Sequence, residues 1–107
     1  MKKTEKKRNM FIVSWSEWDI DTDNLSVGSF EHPYRSLKSA KEAVMKCILS
    51  QAEDLLSMYD PEDRKDAYGT DDPKELVKEL VTMETRFTVE VKDPTTVAMY
   101  LISKYEI

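Results

Sequence analysis

The chain has 107 residues, 40% of them apolar and 35% charged, with 16 Lys and Arg against 21 Asp and Glu. That length suits one domain with a modest core that needs no disulfide or metal to fold. The longest apolar run, Val97 to Ile102, falls far short of the roughly 20 residues that span a bilayer, which excludes a transmembrane helix.

Taken in order, residues 1–9 hold five bases (Lys2, Lys3, Lys6, Lys7, Arg8) and one acid, Glu5. They show no apolar periodicity and read as a disordered basic tail. Phe11-Ile12-Val13 is too short for the apolar region of a signal peptide. With a lone cysteine, Cys47, unable to form an internal disulfide, the expected location is cytoplasmic.

From Met10 to Ile20 the chain is rich in β-formers, and Phe11, Val13 and Trp15 alternate with Ile12, Ser14 and Ser16, which predicts a strand. Asp21-Thr22-Asp23-Asn24 is turn chemistry, since Asp and Asn side chains bond back to nearby backbone. Leu25 to Glu31 returns as a second strand, with Leu25, Val27 and Ser29 on one face and Gly28 and Phe30 on the other, until Pro33 breaks the ladder. Ser36 is a good N-cap for a long amphipathic helix over 36–59, in which Leu37, Ala40, Val44, Ile48 and Leu55 recur at helical spacing. Cys47 falls on that stripe and is expected in the core. Asp60-Pro61 ends the helix.

Residues 60–72 contain six acids and little apolar content and read as a surface loop with room for one helical turn. Asp72-Pro73-Lys74-Glu75 resembles a capping box and opens a short second helix whose apolar face is Leu76, Val77, Leu80 and Val81. After Glu84 the period becomes two, with Phe87, Val89 and Val91 on one face. Asp93-Pro94-Thr95-Thr96 suits either a helix start or a hairpin turn. The hairpin reading is favoured, so that a last strand follows from Val97. The prediction is a single α+β domain over 10–107 in the order β-β-α-α-β-β. A four-stranded, mainly antiparallel sheet packs on one long and one short helix.

Chemistry is sparse. Gly28 and Gly69 lie too far apart for a phosphate-cradling loop, and one histidine (His32) with one cysteine cannot build the common zinc sites. Ser14 and Ser16 lack the glycine-flanked elbow of hydrolases. The chain therefore reads as a non-enzyme with no cofactor. Carboxylates are the abundant reactive groups. Glu17, Asp19, Asp21 and Asp23 occupy every second position and share a face if strand geometry persists. Asp-x-Asp-x-Asp also opens calcium loops of the EF-hand kind, but counted from Asp19 the sixth residue is Asn24, not Gly, and the twelfth is Phe30, not Glu.

Without the tail the chain is strongly acidic, with charge concentrated at residues 17–23 and at 60–85, where nine acids face four bases. Such a surface steers encounter with a cationic partner and repels nucleic acid. In size, acidity and absence of catalytic motifs the chain resembles small acidic proteins of bacteriophages and mobile elements, including anti-CRISPR and other anti-defence proteins. The resemblance rests on general character alone and transfers no residues. It implies a non-catalytic binding protein that covers the basic surface of a nucleic-acid-handling defence protein and so inhibits it. From charge, the expected partner-binding residues are Glu17, Asp19, Asp21, Asp23, Asp63, Asp66 and Asp71. Two alternatives stand beside this reading. One is a self-associating accessory module using the sheet edge or the long helix, as a monomer or homodimer. The other is a divalent-metal-binding protein using the Asp19 to Asp23 run. Neither direct nucleic-acid binding nor a membrane partner is expected.

Overall fold

Period-two and helical apolar patterns alternate along the chain, and each becomes an element in the computed structural model, which describes residues 8–106. The order is β1 (Asn9–Asp19), β2 (Asn24–Ser29), α1 (Leu37–Ser57), α2 (Pro61–Tyr68), α3 (Pro73–Leu80), β3 (Val81–Glu84), β4 (Thr88–Lys92) and β5 (Thr96–Glu106). The α+β class holds. The sheet has five strands rather than four, in the order β2-β1-β5-β4-β3, and every neighbouring pair is antiparallel.

The additional strand is β3. The sequence extends the second helix through Val81, but α3 stops at Leu80 and Val81 is already extended (φ −74°, ψ 110°). Val81 and Thr82 are β-branched and fit a pleated surface, and β4 offers an edge on which 81–84 pair, with a register shift between Val81 and Met83. The 60–72 segment is also more ordered than expected, since α2 occupies residues 61–68. Pro61 lies at the first helical position, Glu62 and Asp63 complement the helix N-terminus, and Gly69 closes the helix in the left-handed region at φ 76°. The last strand is confirmed as β5. Of the expected tail, residues 1–7 lie outside the described residues, while Asn9 belongs to β1 because its pairing with Glu106 extends the ladder.

β1 and β5 form the centre of the sheet and pair along their whole length, from Asn9↔Glu106 to Asp19↔Thr96. α1 lies against them. Its buried residues Ala40, Val44, Ile48, Ala52 and Leu56 fall four apart and pack on Phe11 and Val13 of β1, Val89 and Val91 of β4, and Ala98, Tyr100 and Ile102 of β5. α3 adds Leu76 and Leu80 to the same layer. All of this apolar packing is on one face of the sheet. Ser36 caps α1 as its position predicts, its Oγ accepting from the Ser39 amide at 3.0 Å. Asp72 caps α3 by accepting from the Lys74 amide at 3.1 Å, but Glu75 turns to Lys78 rather than back to the cap, so the full capping box does not form. Cys47 departs from expectation. It lies one position before the buried Ile48, is exposed, and its Sγ accepts from the Tyr100 hydroxyl at 3.7 Å.

Trp15 is half-buried against the core and pairs with Gly28 across the β1–β2 ladder. A Cβ on Gly28 would lie 2.6 Å from the Trp15 ring, so this strand position requires glycine for close approach. Gly28→Ala should therefore destabilise the domain by about 1–3 kcal/mol through overpacking. Urea unfolding of both proteins checks this, an unchanged midpoint being the contrary result.

Candidate functional site

β1 runs toward the hairpin at Ile20–Asp23 and β5 runs away from the turn at Asp93–Thr95, so both turns lie at the same end of the sheet. The Ile20 amide donates to the Thr95 carbonyl at 2.8 Å and joins them.

Asp93 organises this end. Its Oδ1 accepts from the amides of Thr95 (2.9 Å) and Thr96 (2.8 Å) and from the Thr95 hydroxyl (3.2 Å), and its Oδ2 accepts from Gln51 Nε2 at 2.8 Å. The first three bonds fix the β4–β5 turn, and the fourth ties that turn to the C-terminal half of α1. Asp93 is the one buried charged residue of the described chain, 8% exposed. Burial pushes its carboxyl up, but the bonds from Thr95, Thr96 and Gln51 together outweigh burial and leave its pKa below the ordinary value.

α2 docks at the same end. α1 has no basic residue in its last turn, and Arg64 of α2 supplies one from outside. Its Nε donates to the carbonyls of Leu56 (2.9 Å) and Tyr59 (3.1 Å), adding a charged donor to the Leu56 oxygen that already closes the helix end and placing a cation against the negative end of α1. Tyr68 closes α2 against Tyr59, the rings edge to face at 5.6 Å. Burial, then Tyr59, then the charge of Asp93 raises the Tyr68 pKa, so α2 ends within electrostatic reach of the β4–β5 turn. Two acidic segments some forty residues apart in the chain thus come to one end of one sheet.

The expected site residues divide into two groups. Glu17 and Asp19 are on the helix-facing side of β1, opposite Ala98 and Thr96. Asp21 and Asp23 do not share that face, because the chain leaves strand geometry after Asp19 and Asp23 takes a left-handed conformation at φ 56°. Asp19 and Asp23 are engaged internally. Asp19 Oδ1 accepts from the amides of Asp21 (3.0 Å) and Thr22 (3.2 Å), and Asp23 Oδ1 accepts from Trp18 Nε1 at 2.9 Å. Asp21, Asp63, Asp66 and Asp71 are exposed, and no described residue pairs with their carboxylates. Among the described residues no three His, Cys, Asp or Glu side chains are grouped to hold a metal ion.

Sequence reasoning missed Asp93 and Arg64. Asp93 had a legible signal, because an Asp followed two and three residues later by Thr is the pattern of a side-chain-closed turn. The docking role of Arg64 had none.

The opposite end is cationic. Lys38, Lys41, Lys46 and Arg86 line a groove there and outnumber its two acids, Glu42 and Glu84. Lys41 Nζ crosses it to Glu84 (2.9 Å) and the Thr85 carbonyl (2.8 Å). No helix among the described residues is long and apolar enough to cross a membrane.

The lowered pKa of Asp93 has a defined sign. The stability it contributes is complete above the unfolded carboxyl value of about 3.9 and is lost as pH falls toward the lower folded value. Asp93→Asn should therefore destabilise most at neutral pH, with the gap to the parent narrowing below about pH 4 in urea titrations. A gap that does not vary with pH would contradict this. Arg64→Ala should speed amide hydrogen exchange across 61–68 while leaving β1 and β5 protected, as read by mass spectrometry. Compared with family models, curated proteins and solved structures, the chain gives no match.

Proposed function

We propose that this chain is a non-catalytic protein-binding module whose acidic end covers a basic surface on a partner. The partner class is a nucleic-acid-handling protein, and blocking its nucleic-acid-binding surface is the outcome. The observation that carries this reading is the convergence of hairpin 20–23 with α2 at one end, bridged by Asp93, Gln51 and Arg64. Carboxylates without protein partners remain hydrated and keep their field, which accelerates encounter with a cationic surface and disfavours encounter with phosphate. Proteins that hold nucleic acid maintain such cationic surfaces to neutralise phosphates.

Asp21, Asp63, Asp66 and Asp71 are the contact residues this reading favours, since their carboxylates are exposed and unpaired. Asp19 and Asp23 shape the hairpin that presents Asp21. Glu17 lies farther back along β1 and adds to the field. The separation of acidic and cationic ends supports a directed approach, because the molecule presents one end first to a cationic target.

The test is affinity capture from a bacterial lysate with the tagged chain and with its Asp21→Asn, Asp63→Asn, Asp66→Asn, Asp71→Asn variant. The expected result is retention of a nucleic-acid-handling protein at low salt, its release at high salt, and retention reduced several-fold in the variant. No capture, or capture that neither salt nor the four substitutions change, would overturn the proposal.

A further inference from the structure

α1 and α3 cover one face of the sheet, and no described element covers the other. Strand alternation directs Trp18, Val97, Met99, Leu101 and Tyr105 to that open face, with Leu25 and Val27 of β2 beside them. Trp18 pairs with both Leu25 and Val97, which makes one apolar row across three strands, while the small Ser14 and Ser16 leave a shallow depression on β1 walled by Val27, Met99 and Leu101. Leu25 and Val27 are 67% and 70% exposed, and Leu101 and Tyr105 are 44% and 50% exposed. An isolated exposed leucine needs no explanation, but a contiguous apolar sheet face marks an interface.

We propose that the open face is a self-association surface, covered by the open face of a second copy of this chain to give a two-sheet sandwich. Two features identify the occupant. The first is charge. The strand residues on this face include one acid, Glu90, and one base, Lys92, which lie two apart on β4 opposite Met99 and Val97. In a chain of net charge −5 this is the neutral surface, and a twofold axis can bring Glu90 of each copy toward Lys92 of the other. An acidic end or a cationic end of any protein would find no complement here.

The second feature is area. The five strands are 11, 6, 4, 5 and 11 residues long, so at about 3.3 Å per residue and about 4.8 Å between strands the face covers roughly 600 Å². Stable interfaces bury roughly 600–1,000 Å² on each partner. The face therefore provides what a dimer requires with little to spare, and stacked sheets at about 10 Å accommodate Leu and Met side chains of this size. The proposal is independent of the acidic end, which lies at the strand ends.

Sedimentation of the full chain from micromolar to near-millimolar concentration tests it, with Leu101→Glu and Val27→Glu compared alongside. The parent is expected to reach the dimer mass with rising concentration, and each variant to associate at least about tenfold more weakly. Circular dichroism checks that the variants fold. If either glutamate variant is unfolded, Leu101→Ser and Val27→Ser replace them and are expected to weaken association in the same direction. A parent that stays monomeric throughout overturns the proposal, and so does a dimer that folded variants at both positions leave unchanged.

Discussion

The rest of the domain depends on the pairing of β1 with β5. These strands lie at the centre of the sheet and join two otherwise local units, the β1–β2 hairpin and the β3–β4–β5 meander. Without that ladder α1 has no platform, because its buried row of Ala40, Val44, Ile48, Ala52 and Leu56 packs on side chains contributed by both units. The small residues Ala40 and Ala52 and the branched Val44 and Ile48 between them are all fully buried in the same cluster as Val13 and Ile102. With the helices confined to one side, the strand ends and the far face are left to determine what the molecule meets.

Polar groups impose order at the strand ends. Asp93 keeps its charge in a buried setting because its two oxygens share four donors from a turn and a helix. That arrangement sets the distance between α1 and the sheet at this end, and Arg64 then positions α2 from α1. Tyr100 shows the complementary case deeper in the core. Burial first, then the bond to Cys47, pushes its hydroxyl pKa up and keeps the group neutral. The carboxyl is intrinsically acidic and its donors hold it further toward the anion, whereas the phenol is intrinsically neutral and burial holds it further that way.

Much of this was legible in the sequence, where a local rule and the tertiary context agree. The alternation at 11–15 and 87–91, the Ser36 cap and the four-residue spacing of α1 each have a physical cause that acts over a few residues. The departures occur where distant partners decide. Val81 leaves the helix because β4 offers it an edge, whereas 61–68 becomes helical on local signals, Pro61 at its start and Gly69 at its end, that its acidic composition obscured. Cys47 looks equivalent to its neighbours on a helical projection, yet a rotation of one position places it beside Tyr100 at the rim of the core. Charge counting located the acidic segments. The sequence could not reveal that Asp19 and Asp23 spend their oxygens on the hairpin itself, nor that cationic side chains gather at the other end.

The strand order also constrains how the domain is made. β1 leaves the ribosome early and its central partner β5 follows only after the helices and the β3–β4 hairpin have been synthesised, so a nascent β1–β2 hairpin holds apolar side chains on both faces with nothing to cover either. High sequence separation between pairing strands slows folding and prolongs that exposure. The chain therefore passes through synthesis with one central strand completed early and paired last.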